Sequence, residues 1–400
     1  MKFALLSHIL PPTWSGQTVM LYRILSGFDP EDYCLVSRFD YAPGAFQGGD
    51  EYRLPARYYH LPVDARLTRG SRFGLWRLRE GVNVPLGVVS RARKVARIIR
   101  SEGCGAVVAC TGDVFDPPAA YLASKMAGVP FYFYVFDYYS EQSHNAVWQF
   151  YARRFEPALM RGAKRVITHN ELLRDELRRR YGAEVAVVYN PCDLSVYESL
   201  PEGDREADDG GEVRIVYTGA VYEAHYDAFR NLVQAVGRLD RPGVRLHLYS
   251  GSPADWEAEG LSGPAVVRHG YQPMSAVPAI QRAADILFLP LAFESPYPVL
   301  INTSAPSKMG EYLAARRPVL VHAPKDSFLA WYFREHECGL VVDESDPARV
   351  AEAVGRLIGD AALRRRLVEN AWARAQADFS VGASRDAFAR ALGLGGAGRG

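Results

Sequence analysis

Short apolar runs alternate with amphipathic segments along most of the chain. In the first half, runs rich in β-branched and aromatic residues occupy positions 3–6, 33–36, 106–110, 131–136, 165–168 and 185–189. Runs of this length predict buried strands, and the longer segments between them carry apolar residues at helical spacing. The first half therefore predicts an α/β domain built on a parallel sheet.

The second half repeats this alternation after a break in the pattern. Residues 200–212 are acidic and rich in turn formers, which predicts a solvated linker. Apolar runs return at 213–219, 245–249, near Val266, at 286–289 and at 319–321, with a helical segment at 226–239. We therefore predict two doubly wound domains, at residues 1–199 and 213–380.

Composition agrees with two domains and excludes some function classes. A chain of 400 residues with 48% apolar content is too long for one ordinary core. Its 47 basic and 46 acidic residues give a net charge of +1, which argues against nucleic-acid binding driven by overall charge. The five cysteines lack paired spacing, so neither a zinc site nor a disulfide framework is predicted. We expect a cytoplasmic chain, since no apolar run is long enough for a signal peptide or membrane span.

The most informative segment runs from Ser304 to Leu320. Ser304 is a favourable N-cap, and the apolar residues that follow have helical spacing, so Lys308 and Glu311 should share one helix face. A helix N-terminus carries roughly half a positive charge and unpaired amides. With Ser307 and Lys308 it would hold a diphosphate, while Glu311 would accept ribose hydroxyls. The alternative is an ordinary amphipathic helix with a solvated Lys308–Glu311 pair.

The run P-S-K-x-x-E-Y-L-A-x-x-R-P-V-L in this segment resembles the donor-site helix of GT-B glycosyltransferases, particularly the retaining family 4. The resemblance implies an α/β fold of the GT-B type, with two Rossmann-like doubly wound parallel-sheet domains facing a cleft. Residues 1–199 would be the acceptor domain and 213–380 the nucleotide-sugar donor domain. Residues 381–400 would form a helix returning to the first domain, followed by a glycine-rich tail.

The resemblance also assigns further donor-binding positions. Gly16, in the loop after the first strand, would let backbone amides approach the donor phosphates. Gly219 would lie beside the diphosphate, and Tyr271 would stack on the nucleobase. Plain structural roles for Gly16 and Tyr271 remain alternatives.

Two departures from the family pattern affect the catalytic assignment. Phe136 stands where the family commonly has a histidine, and Thr303 replaces the first carboxylate of its E-x7-E motif. Asp137 and His144 are the remaining polar candidates near the missing histidine, although a surface or capping role for His144 is the alternative. The resemblance implies that the leaving phosphate acts as base, with Lys308 stabilising its charge.

The chain contains neither a P-loop motif nor a D-x-D motif. D-x-D carboxylates hold the metal of GT-A transferases, so we expect a metal-independent reaction with no cofactor other than the nucleotide-sugar co-substrate. Residues 66–100 form a basic segment, with ten cations and one acid. This segment would either contact an anionic membrane surface, such as the inner face of the membrane, or form a helix with a solvated face.

The sequence thus predicts a glycosyltransferase that moves a sugar from a nucleotide-diphosphate donor, with retention, to a saccharide, lipid-linked or small-molecule acceptor. Polysaccharide biosynthesis is one setting for such an enzyme. Two other functions fit the same fold. One is a nucleotide-sugar 2-epimerase, which would need several acid/base carboxylates. The other is a catalytically silent scaffold subunit, suggested by Phe136 and Thr303.

Overall fold

A computed structural model describes residues 1–13, 15–42, 52–67, 76–141, 145–201, 211–239, 241, 243–252 and 255–395. These residues form two compact units. The first comprises Met1–Tyr189 and the segment from Ser384 onward, and the second comprises Asn190–Ala383. Residues 202–210 of the expected linker lie outside the described residues.

The described part of the first unit contains a parallel sheet of seven strands. They are β1 (Phe3–Leu6), β2 (Tyr33–Ser37), β3 (Arg57–His60), β4 (Ala106–Cys110), β5 (Phe131–Tyr134), β6 (Arg165–Thr168) and β7 (Val185–Val187). The helices between them are α1 (Gly16–Leu25), α2 (Trp76–Ser101), α3 (Asp116–Ala127), α4 (Ala146–Gly162) and α5 (Glu171–Tyr181). The strand order is β3-β2-β1-β4-β5-β6-β7, so the order reverses direction between β1 and β4.

The described part of the second unit contains a parallel sheet of six strands. They are β8 (Val213–Thr218), β9 (Val244–Tyr249), β10 (Val266–His269), β11 (Ile286–Pro290), β12 (Val319–His322) and β13 (Leu340–Val342). The helices are α6 (Leu194–Glu198), α7 (Tyr226–Arg238), α8 (Val277–Arg282), α9 (Pro298–Asn302), α10 (Lys308–Ala314), α11 (Phe328–Glu335), α12 (Pro347–Gly359) and α13 (Ala361–Arg374). The strand order is β10-β9-β8-β11-β12-β13, with its reversal between β8 and β11.

The final helix, α14 (Val381–Leu392), packs on the first unit. Phe388 is fully buried beside Phe3 and Tyr134, and the Tyr132 hydroxyl donates to the Leu392 carbonyl at 2.8 Å. These contacts explain why the segment from Ser384 belongs to the first unit.

The predicted fold class is confirmed, because both sheets are parallel and carry helices in the connections between strands. Central strands such as β1, β4 and β11 are buried at every position, which is why they appear in the sequence as uninterrupted apolar runs. Edge strand β3 was missed, because its two Tyr side chains are only half buried and its flanking Arg57 and His60 are exposed. None of the described helices is long and apolar enough to cross a bilayer.

The predicted start of the Lys308 helix was wrong. Helix α10 begins at Lys308 with Ser307 as its N-cap, and the Ser307 side chain makes no capping hydrogen bond. Ser304 lies instead just after α9, where its backbone N–H donates to the Ile301 carbonyl at 3.2 Å. The propensity of serine for N-caps does not distinguish between two serines three residues apart, and tertiary packing decides which one begins the helix.

Candidate active site

Lys308 and Gly219 lie directly against each other in the second unit. Gly219 follows β8 with φ of 131°, a conformation that strongly favours glycine. A Cβ atom at this position would lie 3.0 Å from Lys308 Cε and 3.3 Å from Lys308 Nζ. The ammonium group also lies 5.0 Å from the centre of the Tyr217 ring. Gly219 therefore provides both the turn and the space that let the lysine reach the end of β8.

Lys308 forms no ion pair with any of the described residues. The lysine is half buried, so its charge is partly shielded from water. Such a group at the end of a parallel strand is well placed to bind an anion.

Glu311 is connected to the same strand end through buried hydrogen bonds. The side-chain amide of Gln281 is fully buried and donates to Thr218 Oγ1 at 3.0 Å and to Glu311 Oε2 at 3.4 Å. The Tyr312 hydroxyl accepts the backbone N–H of Thr218 at 3.0 Å. Helix α10 is thus tied to β8 at two points, which fixes the position of Glu311 relative to Gly219.

His225 lies beside this group, with its ring centre 6.0 Å from that of Tyr217. Its side chain is 3% exposed, and its Nδ1 atom has no hydrogen-bond partner among the described residues. Burial, and secondarily the charge of Lys308, lowers the pKa of His225 to about 3. The imidazole is therefore neutral at physiological pH, so it leaves Lys308 as the cation. Arg230, on the same helix α7 that begins after His225, pairs with Glu259 at 3.6 Å.

Asp227 is a positioning residue that the sequence did not reveal. Its Oδ2 atom accepts the backbone N–H groups of Phe293 and Glu294, each at 2.8 Å. These bonds hold the loop after β11 against the start of α7. An aspartate in the first turn of a helix looks like an ordinary complement to the helix dipole, so nothing in the sequence marked this role.

The remaining candidate of the second unit, Tyr271, lies on the loop after β10. Its side chain is 77% exposed, and a Cβ atom on Gly251 would lie 3.3 Å from the Tyr271 Cβ, which places the tyrosine beside the loop after β9. Gly219 and Tyr271 follow parallel strands and so lie at the same, carboxyl edge of the sheet. In open α/β sheets, ligands bind at this edge, where the strand order reverses. Here the reversal is at β8, next to Gly219 and Lys308.

Thr303 does not present a free hydroxyl. It is buried, and its Oγ1 atom donates to the Val299 carbonyl at 2.8 Å, where it helps to end α9. This bond makes Thr303 an unsuitable replacement for the missing carboxylate.

The candidates of the first unit are less closely grouped. Gly16 is the first residue of α1 and is exposed, and a Cβ atom there would meet no described atom within 4 Å. Packing within the chain therefore does not require glycine at this position. Asp137 follows β5; its side chain is accessible to solvent, yet the surrounding protein raises its pKa to about 6 by desolvation. His144 lies outside the described residues.

Two family models match the chain, one over most of each unit. Residues 49–196 match the family model described as Glycosyltransferase Family 4, and residues 212–360 match the model described as Glycosyl transferases group 1. The two matches cover most of both units. The chain is a family 4-like glycosyltransferase with the GT-B fold.

Individual relatives are distant in sequence but cover most of the chain. The alpha-D-kanosaminyltransferase of Streptomyces kanamyceticus is 24% identical over 331 residues, which are 76% of this chain and 81% of the relative. The crystal structure of Anabaena Alr3699/HepE in complex with UDP has a TM-score of 0.68 at 16% identity, covering 98% of this chain and 100% of that one. Sucrose-phosphate synthase from Thermosynechococcus elongatus has a TM-score of 0.65 at 17% identity, with 98% of each chain covered.

Proposed function

We propose that the chain transfers a glycosyl group from a nucleoside-diphosphate sugar, and that the second unit binds this donor. The observation that carries the proposal is Lys308, an ammonium group without a described ion-pair partner, held against Gly219 at the strand-order reversal. UDP is bound in the structurally similar HepE, which supports a UDP-linked donor. The name of the kanosaminyltransferase supports a hexose-type group as the one transferred.

The donor would be bound by five positions of the second unit. Ser307 and Lys308 would contact the diphosphate, and Gly219 would allow the phosphates to approach the backbone. Glu311, oriented by Gln281, would accept hydrogen bonds from the ribose hydroxyls. The exposed ring of Tyr271 would stack on the base. Gly16 of the first unit remains a proposed phosphate contact.

We further propose retention of configuration without a metal ion. In this reaction, an acceptor hydroxyl attacks the anomeric carbon on the face from which the diphosphate departs. The C–O bond to the diphosphate breaks with its electron pair, and the departing phosphate oxygen takes the hydroxyl proton. Lys308 would stabilise the charge that develops on this oxygen. Asp137, whose pKa is about 6, would be largely ionised at neutral pH and would stabilise positive charge on the sugar. His144 remains a candidate in this step.

The acceptor is a saccharide, a lipid-linked saccharide or a small molecule. One surface supports contact with lipid: Leu78, Val82 and Leu86 form an exposed row on α2, and Arg93 and Arg97 continue the same face as exposed cations. Apolar side chains beside cations are typical of helices that lie on anionic membranes. Cosedimentation with phosphatidylglycerol vesicles, and none with phosphatidylcholine vesicles, would support this contact. Equal sedimentation with both would contradict it.

Turnover with UDP-glucose and other UDP-sugars tests the proposed function. We expect release of UDP that increases when a sugar acceptor is added, persists in EDTA and gives a product with the anomeric configuration of the donor by NMR. Inversion, or loss of activity in EDTA, would contradict the proposed mechanism. Tight UDP binding without transfer to any acceptor would instead indicate the silent scaffold.

A further inference from the structure

The first unit contains a cavity of about 400 Å³, lined by both charged and aromatic side chains, at the carboxyl edge of its sheet. Its walls come from the segments after β1, β2, β3 and β4 and from one face of α2, including His8, Phe39, Asp64, Asp113 and Arg91. We call it the Arg91 cavity. Its volume falls within the roughly 300–1,000 Å³ typical of small-molecule sites and is enough for a sugar ring.

Arg91 organises the walls of this cavity. The side chain is buried, and its guanidinium group donates to Asp64 Oδ2 at 2.9 Å, to Asp113 Oδ2 at 2.8 Å and to Asp116. The ring of Phe115 lies 5.0 Å from the guanidinium carbon. The sequence places Arg91 in a basic segment with a membrane-facing or solvated role, but in the structure it is an internal cation. It joins the loops after β3 and β4, so the cavity is shaped before any ligand binds.

The charges that line the Arg91 cavity cancel. Three arginines, at positions 38, 66 and 91, face three acids, at positions 64, 80 and 113. All three acids are paired, Asp64 and Asp113 with Arg91, and Glu80 with Arg79 at 3.3 Å. A ligand that brought its charge next to Arg91 and these acids would have to disrupt their pairs, which is costly for partly buried groups. A hydroxyl group both donates and accepts, so it can bond to carboxylates and guanidinium groups that are already paired.

Aromatic side chains form the apolar part of the lining. Phe39 is 49% exposed, and the rings of Phe115 and Trp148 meet edge to face with centroids 5.6 Å apart. Gly87 makes room for this arrangement, because a Cβ atom there would lie 3.1 Å from Phe115 Cε1. Aromatic faces beside polar groups match a sugar ring, which has apolar C–H faces and a polar rim.

We propose that the Arg91 cavity binds an uncharged sugar ring of the acceptor. This inference rests on the proposed function, because it names the acceptor class of the same reaction. Arg66, at the exposed rim, is the cation through which an anionic sugar could bind instead. The test therefore compares sugars that share a ring and differ in charge.

The experiment follows the indole N–H resonance of Trp148 in the full-length, 15N-tryptophan-labelled protein, assigned with Trp148→Phe. Methyl α-glucoside, methyl α-mannoside and methyl α-galactoside are titrated as neutral probes. Glucosamine and glucose 6-phosphate are the cationic and anionic probes. We expect a saturable shift of the Trp148 signal with at least one neutral glycoside, and at least tenfold weaker binding of both charged sugars.

Two matched variants make the result specific. Phe39→Ala, in the cavity lining, should weaken binding of the neutral glycoside at least fivefold. Phe150→Ala, which removes a 65% exposed ring from the same helix as Trp148, should leave the affinity unchanged. No Trp148 shift with any neutral glycoside, or equal binding of neutral and charged sugars, would overturn the proposal. A separate titration with UDP distinguishes this inference from the proposed function. If UDP binds and no glycoside binds, only the inference about the Arg91 cavity is contradicted. If a glycoside binds and UDP does not, only the proposed donor site is contradicted.

Discussion

The two units place a buried or half-buried cation at the same edge of similar sheets, but the cations differ in their partners. Arg91 of the first unit forms salt bridges with Asp64, Asp113 and Asp116, so its charge is paired within the protein. Lys308 of the second unit contacts Tyr217 and the backbone of Gly219 and has no described carboxylate partner. The first cation holds structure together, whereas the second is available to a ligand.

A cation therefore indicates an anion site only where the protein does not itself pair the charge. Salt bridges satisfy Arg91, so its cavity should favour neutral hydroxyl groups. Lys308 lies beside a glycine and a neutral histidine and pairs with none of the described carboxylates, so its surroundings should favour phosphate.

The largest expected effect comes from Arg91→Met. The substitution leaves Asp64, Asp113 and the fully buried Asp116 without their shared cation, so the first unit should lose about 3–5 kcal/mol of unfolding free energy. Urea denaturation of the full-length protein measures this loss. Arg97→Met, at an exposed position on the same helix, is the control and should be nearly neutral. Equal stability of the two variants would show that the Arg91 network does not stabilise the first unit.

Gly219→Ala should cause an intermediate loss of stability and should also weaken UDP binding. An alanine at φ of 131° is strained by about 1–3 kcal/mol, and its Cβ would displace the end of the Lys308 side chain. Gly128→Ala, at φ of 72° with nothing near its Cβ, is the control for strain alone. Both variants should lose stability in thermal melts, but only Gly219→Ala should weaken UDP binding. Unchanged UDP affinity in Gly219→Ala would separate this glycine from the donor site.

The smallest net effect comes from two opposite pH responses, which largely cancel in the parent because they cover nearly the same pH range. The pKa of His225 falls from 6.5 to about 3 on folding, so the folded state binds fewer protons and stability decreases as pH falls from 6.5. Burial raises the pKa of Asp116 from 3.8 to about 7, so its contribution to stability decreases as pH rises through that range. Each slope is at most about 1.4 kcal/mol per pH unit.

Unfolding free energies of the parent, His225→Asn and Asp116→Asn between pH 4 and 7 measure these slopes. Relative to the parent, His225→Asn should gain unfolding free energy as pH falls from 6.5, and Asp116→Asn should gain it as pH rises toward 7. Parallel curves for all three proteins would contradict both assignments.

The sequence predicted the elements well where strands are buried on both faces. The bounds of β1, β4 and β6 agree residue for residue with the apolar runs. The Lys308–Glu311 segment was predicted to be helical, and it is, because Met309, Leu313 and Ala314 are buried at helical spacing. These features are local, so a single run of sequence contains the information that determines them.

Features that depend on distant residues were not predictable. Whether Arg91 is a surface cation or an internal one depends on acids 22 to 27 residues away along the chain. Asp227 holds a loop that lies 66 residues further on. Neither role has a local pattern. The functional roles of all the site candidates stay predictions until ligands are bound: Gly16, Asp137, His144, Gly219, Tyr271, Ser307, Lys308 and Glu311.

The central claim is that Lys308 binds the donor diphosphate, and isothermal titration of UDP tests it most directly. The parent, Lys308→Ala and Lys325→Ala are compared, since Lys325 is an exposed lysine of the same unit. Loss of a charge-assisted contact of about 1.5–3 kcal/mol predicts roughly ten- to hundredfold weaker binding for Lys308→Ala. Lys325→Ala should bind UDP as the parent does. Equal UDP affinity in all three proteins would contradict the account.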